Sequence, residues 1–142
     1  MHPAPSIILF TSLSGIGFGL LIWLGLGAPY VEGWNAFFAF GLAYGLSIAG
    51  LVFSTLHLGH PERALKAFSQ WRSSWLSREG VVSVGALVVL APFAFGRVFL
   101  GIDLAILGWI GAGLSLLTVL CTSMIYAQLK TVPRWNMALV PP

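Results

Sequence analysis

One polar stretch, Ser54 to Glu79, carries most of the residues that can do chemistry in this very apolar chain. It holds four of the seven Lys and Arg residues, two of the four acids and two of the three His residues. His57 stands where one apolar run ends, and Glu79 stands where the next run begins. The stretch therefore predicts an imidazole and a carboxylate at the same end of two neighbouring helices.

Two interpretations of His57 and Glu79 follow from their placement. A cation at a helix C-terminus and a carboxylate at a helix N-terminus are each favoured by the helix dipole, so both residues could serve stability alone. Alternatively, a hydrogen-bond donor and a titratable carboxylate side by side suit a ligand with two carbonyls that exchanges protons as electrons move. A quinone with an apolar tail is such a ligand. His60 is either a solvated loop imidazole or a further member of that site.

The composition places both residues in an integral membrane protein. The chain is 58% hydrophobic and 8% charged, with a mean hydropathy of +0.92, whereas soluble domains carry about 25% charged residues. The net charge of +3 indicates membrane topology and not nucleic-acid binding. Cys121 is the single cysteine, so this chain alone forms neither a disulfide nor a multi-cysteine metal site. We also expect no haem, because only His57 falls within a predicted span.

Four apolar runs predict an all-α, polytopic membrane helix bundle that forms one transmembrane domain over residues 1–142. The predicted helices cover about residues 6–28, 34–58, 78–99 and 103–129, each long enough for a hydrocarbon core of roughly 30 Å. Gly59 followed by Pro61 favours a helix end there. In the loop between helices 2 and 3, a short interfacial helix is predicted by the helical spacing of Leu65, Phe68, Trp71 and Trp75.

Two further features bear on packing. Arg97 lies near the end of helix 3 and is expected to reach the membrane interface. Pairs of small residues four apart allow close helix approach, and we expect them to pack inside the bundle, the alternative being contact with helices of another chain. The pairs are Gly15 with Gly19, Gly41 with Gly45, and Gly108 with Ala112.

The basic residues predict the orientation. With four spans, both termini and the 2–3 loop lie on one side, and that side holds six basic residues: Arg63, Lys66, Arg72, Arg78, Lys130 and Arg134. The other side holds only Arg97. The positive-inside rule places the six, both termini and the loop in the cytoplasm. Arg72 and Arg78 are either simple anchors or a docking surface for an acidic partner.

Three motifs resemble the anchor subunits of dimethyl sulfoxide reductase-type complexes. They are S-T-L-H-L-G-H-P-E-R-A from Ser54, S-W-L-S-R-E from Ser74, and M-I-Y-A-Q-L-K-T-V-P-R-W from Met124. The three together are specific, although each alone is a weak signal. The match extends over nearly all of this chain.

The resemblance implies a complex with a molybdopterin catalytic subunit and an iron–sulfur electron-transfer subunit. It also implies a quinone or quinol site, for menaquinone or ubiquinone, with no metal held by this chain. The histidine and the acid that the family associates with quinol binding correspond to His57 and Glu79; His60 is taken as a third binding residue. We expect the basic loop to dock the iron–sulfur subunit through Arg63, Lys66, Arg72 and Arg78. The resemblance also implies a multi-pass protein of a bacterial inner membrane.

Two departures from the family pattern accompany the resemblance. Usual members carry about twice as many helices, so the match covers the first half of such a member. The charge bias also puts the docking loop in the cytoplasm, whereas the best-known dimethyl sulfoxide reductases face the periplasm; this is closer to cytoplasm-facing sulfite-oxidising complexes. The alternative function is a purely structural anchor with quinone bound elsewhere in the complex. A small transporter is disfavoured, because no charged residue lies at mid-bilayer.

Overall fold

A computed structural model describes residues 5–56, 66 and 68–127 of the chain. In this part the chain forms four long helices, α1 (Pro5–Gly25), α2 (Gly33–Leu56), α3 (Trp75–Phe95) and α4 (Ala105–Ala127). A 3₁₀ turn, Phe68–Gln70, precedes α3, and a π-helical turn, Gly96–Leu100, extends it. All four helices are long and apolar enough to cross a membrane. The predicted all-α membrane bundle is therefore confirmed.

Two helix ends differ from the predicted ones for local reasons. The first helix ends at Gly25, and Gly27 follows with φ of 76°, a left-handed conformation that glycine adopts without steric cost. The third helix begins at Trp75, because Ser74 caps it and its hydroxyl accepts a hydrogen bond from the backbone N–H of Ser77 at 3.4 Å. This earlier start places Glu79 in the second turn of α3.

The helices pack unevenly. Helix α1 lies against α2 and α4, and α3 lies against α4, whereas α2 and α3 make few contacts with each other. The core contains large side chains from three helices, among them Phe18, Leu21, Phe40, Leu90 and Phe93. The bundle is therefore closed around α1 and α4 and open along the seam between α2 and α3.

Only some of the glycine pairs pack inside the bundle. A Cβ on Gly25 would lie 2.6 Å from the carbonyl oxygen of Gly108, so α1 and α4 cross there in backbone contact, as predicted for Gly108. By contrast, a Cβ would meet nothing within 4 Å at Gly15, Gly19, Gly41 or Gly45. Internal packing was the wrong prediction for these four residues, because a spacing of four does not say which face of a helix is covered.

The end of the bundle opposite the 2–3 loop is closed around Arg97. This side chain is only 4% exposed, so it packs within the protein, and its reach to the membrane interface stays a prediction. Its Nη2 lies 3.0 Å from Oδ1 of Asp103, and its guanidinium stacks over the ring of Tyr30 at 4.0 Å and near that of Phe93 at 5.2 Å. The Tyr30 hydroxyl donates to Glu32, and this hydrogen bond raises the pKa of Tyr30.

Candidate functional site

Helices α2 and α3 contact each other near the middle of the membrane-spanning segments and separate towards the 2–3 loop. The Tyr44 hydroxyl donates to the carbonyl oxygen of Leu87 at 2.7 Å. One to two turns further from the loop, the rings of Phe40 and Phe93 meet edge to face with their centroids 5.8 Å apart. Between these contacts and the loop, the two helices leave a space.

That space is a pocket of about 270 Å³ between the last turns of α2 and the first turns of α3. Its walls are mostly apolar, and Ile48, Val52 and Val84 are each nearly half exposed. These residues belong to segments that can span the membrane, so the mouth of the pocket opens on the apolar outer face of the described bundle. Its lining residues are Ile48, Leu51, Val52, Ser54, Thr55, Phe68, Leu76, Ser77, Glu79, Gly80, Ser83 and Val84.

The described last part of the 2–3 loop, from Phe68 onwards, closes one end of the pocket. The ring of Phe68 covers Gly80, where a Cβ would lie 3.2 Å from the ring. Arg78 fixes this turn: its guanidinium donates to the carbonyl oxygens of Trp71 and Arg72 at 2.9 and 2.7 Å. It also lies 4.4 Å from the ring centroid of Trp75. The pocket therefore has a floor built by this chain.

Glu79 is the acid of this pocket. Its side chain is 1% exposed, and its Oε1 accepts a hydrogen bond from the hydroxyl of Thr122 on α4 at 2.6 Å. It has no ion-pair partner among the described residues. The ion pair found in that part of the chain joins Arg97 and Asp103. The helix dipole acts mainly within the first turn, so a second-turn position weakens the purely stabilising interpretation. A carboxyl group lining an apolar pocket can exchange a proton with a bound ligand.

The other predicted site residues fall into two groups. His57, His60 and Arg63 lie outside the described residues; His57 directly follows Leu56, the last described residue of α2. Lys66 and Arg72 are exposed, and the guanidinium of Arg72 lies 5.7 Å from the ring centroid of Trp71. The structure thus brings the end of α2 and Glu79 to one pocket.

Sequence reasoning missed Thr122 and Tyr44, which both lie inside apolar runs. A signal for Thr122 was present, because small and hydroxylated residues recur along one face of α4, at Gly111, Ser115 and Thr118. Such a face marks a helix contact in a membrane. In the described part of the chain, no group of three or more His, Cys, Asp or Glu residues is placed to hold a metal ion.

Comparison with known proteins agrees with this architecture. Residues 1–141 match the family described as DMSO reductase anchor subunit (DmsC). A sulfite dehydrogenase subunit of Allochromatium vinosum is 38% identical over 98% of this chain, and the match covers 49% of that protein. The chain thus spans about half the length of this curated relative. No solved structure gives a significant match. On the family match and this identity, the chain belongs to the DMSO reductase anchor subunit (DmsC) family.

Proposed function

We propose that this chain binds a quinone or quinol in the pocket between α2 and α3 and exchanges electrons with an iron–sulfur partner. The observation that carries the proposal is a buried carboxyl, Glu79, in the wall of an apolar pocket that opens on the outer face of the described helices. The volume of about 270 Å³ is close to the lower end of the range for ligand sites, which starts at roughly 300 Å³. That is room for a ring whose apolar tail remains in the bilayer.

The residues present fit such a ligand. The aliphatic walls suit the ring and the first part of the tail, and the site adds few polar groups, as ligand pockets commonly do. A quinone that takes two electrons also takes two protons, one on each carbonyl oxygen. Glu79 exchanges one of these protons with the ligand, and His57 donates a hydrogen bond to one carbonyl oxygen, with His60 nearby. The quinone is menaquinone or ubiquinone.

The partners we propose are an iron–sulfur subunit and a molybdopterin catalytic subunit. The family assignment supports association with an oxidoreductase complex, and the relative named as part of a sulfite dehydrogenase supports sulfite as the electron donor. Lys66 and Arg72 are exposed beside the pocket floor, where they would meet an acidic partner surface together with Arg63. Arg78 holds the turn on which Arg72 stands.

Glu79→Gln in the assembled complex tests the proposal. The amide keeps the shape of the side chain but cannot exchange a proton, so quinone-linked turnover is expected to fall about 100-fold or more. Assembly, measured by co-purification of the partner subunits, stays intact, as does turnover with an artificial electron acceptor that bypasses the quinone. Glu32→Gln, the same change at an exposed carboxylate at the other end of the bundle, is the matched control.

Unchanged quinone-linked turnover in Glu79→Gln would refute the assignment and leave the structural anchor as the better hypothesis. Binding provides a second arm of the experiment. His57→Ala removes one hydrogen bond to the ligand and should weaken a bound quinone analogue about fivefold. If His57→Ala binds the quinone analogue as tightly as the parent protein, His57 does not belong to the site.

A further inference from the structure

A second pocket lies on the other side of the Glu79–Thr122 hydrogen bond. It has a volume of about 360 Å³ and lies between the first half of α1 and the end of α4. Five of its eight lining residues carry a hydroxyl: Thr11, Ser14, Thr122, Ser123 and Tyr126. Because it is lined by Thr11, the seventh residue of α1, it lies roughly 10 Å from the helix end, on the membrane side that carries the 2–3 loop.

The hydroxyl groups of this pocket are set to accept hydrogen bonds. Thr11 donates its hydrogen to the carbonyl oxygen of Ile7 at 2.9 Å, and Ser14 donates to that of Phe10 at 2.6 Å. Ser123 likewise donates to Leu120 at 2.7 Å. Each hydroxyl oxygen retains lone pairs once its hydrogen is used within its own helix. Such lone pairs can be satisfied by a small hydrogen-bond donor, and a polar pocket of this size has room for water.

Thr122 connects the two pockets. Its Oγ1 lies 2.6 Å from Oε1 of Glu79 and 3.1 Å from the carbonyl oxygen of Thr118, and it lines the second pocket while Glu79 lines the first. When Glu79 is a carboxylate, Thr122 donates to it. When Glu79 is an acid, it donates to Thr122, whose own hydrogen then turns to Thr118 or to the second pocket. The contact therefore persists in both protonation states.

We propose that the hydroxyl-lined pocket holds water and exchanges protons with Glu79 through Thr122, which makes Thr122 a positioning residue for the quinone reaction. This inference rests on the proposed quinone site. It assigns the ligand and the proton separate routes, the ligand entering from lipid between α2 and α3 and the proton passing between α1 and α4. The two routes meet at the carboxyl of Glu79.

The proton balance is simple. A quinone that takes two electrons from the iron–sulfur partner becomes a quinol when each carbonyl oxygen takes one proton. Glu79 supplies one proton and becomes a carboxylate, and His57 in the proposed site supplies the second from its imidazolium form and regains it from hydronium in the aqueous phase. The hydroxyl hydrogen of Thr122 then moves to Glu79, while Thr122 takes a hydrogen from hydronium in the second pocket. Quinol oxidation runs the same transfers in reverse.

Thr122→Val, Thr122→Ser and Ser115→Ala in the assembled complex test the inference. Thr122→Val keeps the shape of the side chain and should lower kcat for quinone-linked turnover roughly ten- to a hundredfold, the effect of losing a hydrogen bond to a charged group. KM for the quinone should stay unchanged, and the solvent deuterium isotope effect should rise. Thr122→Ser should retain parent kcat. Ser115→Ala is the matched control, since Ser115 is a buried hydroxyl residue of the same helix that lines neither pocket and takes no part in the relay.

A second variant tests the pocket without touching Thr122. A side chain on Gly15 would grow into open space at the wall of the second pocket, so Gly15→Leu should also lower kcat and raise the isotope effect. If both Gly15→Leu and Thr122→Val show the same kcat and the same isotope effect as the parent protein, the inference is overturned. If these two variants behave like the parent while Glu79→Gln abolishes turnover, the proposed proton route is refuted and the proposed quinone site is retained. Retained turnover in Glu79→Gln would instead remove the quinone site itself.

Discussion

Two buried charged side chains at opposite ends of α3 are held in different ways. Arg97 has a carboxylate partner and an aromatic ring against its face, although its Nε has no hydrogen-bond partner in the described part of the chain. Among the described residues, Glu79 has no cation as a partner and accepts a hydrogen bond from the Thr122 hydroxyl. A charge paired with an opposite charge inside a membrane protein serves the fold, whereas an acid without such a partner is a candidate functional group. We therefore assign Arg97 to stability and Glu79 to chemistry.

This difference leads to a prediction for Arg97→Met. The substitution keeps much of the side-chain volume but leaves Asp103 without its cation and Tyr30 without its stacking partner. The protein should lose about 1–3 kcal/mol of unfolding free energy, as expected when a buried charged hydrogen bond is removed. Thermal unfolding in detergent measures the loss.

Asp103→Asn is the companion variant and should cost less, because the side chain of Asp103 is 42% exposed and remains solvated. Equal midpoints for Arg97→Met and the parent would contradict a stabilising role for Arg97. Neither substitution should alter quinone-linked turnover in complexes that remain folded, since Arg97 is at the far end of α3.

At the scale of single residues, the sequence predicted the acid and missed its partner. Glu79 is an acidic residue in an apolar run, and such a residue can be recognised from the sequence alone. Thr122 lies 43 positions away in a run where threonine commonly bonds its own helix backbone. Its second contact depends on the crossing of α3 and α4, and the spacing of residues within α4 does not encode it.

At the scale of the helices, the space around each glycine shows whether that face of the helix is covered by a neighbouring helix or is open. Gly50 on α2 lies against α1, where a Cβ would be 2.5 Å from the backbone nitrogen of Ser14. Gly45, on the same helix, faces open space. The apolar runs predicted that the helices exist, but all faces of a membrane helix are apolar, so hydropathy does not indicate which face is covered.

Gly50→Ala and Gly45→Ala make a matched pair of variants. The new methyl at Gly50 must push α1 away from α2, so unfolding free energy should fall by about 1–3 kcal/mol. The same change at Gly45 should be neutral or stabilising by up to about 1 kcal/mol, because alanine favours a helix over glycine. Unfolding in dodecyl sulfate measures both. Equal effects of the two changes would contradict the packing of α1 on α2.

At the scale of the whole molecule, the two ends of the described bundle differ along the membrane normal. Both pockets and the exposed residues Lys66 and Arg72 lie at one end, and the Arg97 cluster lies at the other. We expect the pocket end to face the cytoplasm, because six of the seven basic residues belong to that side in the sequence. The proposed iron–sulfur partner then docks on the cytoplasmic side.

Thiol labelling in intact cells tests this orientation. In a Cys121→Ser background, Ser73→Cys should react with a membrane-impermeant reagent only after the cells are opened. Ile102→Cys, at the other end of the bundle, should react from outside. Both positions are exposed, so access to the reagent depends on the side of the membrane. The opposite labelling pattern would place the partner in the periplasm.

The parting of α2 from α3 has a consequence for how ligand affinity must be expressed. In the proposed quinone site, a mouth walled by Ile48, Val52 and Val84 would be filled from the hydrocarbon phase, so occupancy would depend on moles of quinone per mole of lipid. Adding inert lipid at constant total quinone should empty the site, whereas adding buffer should leave it filled. A dissociation constant written in aqueous molarity would therefore drift with the amount of membrane in the assay, and one written as a mole fraction would stay constant.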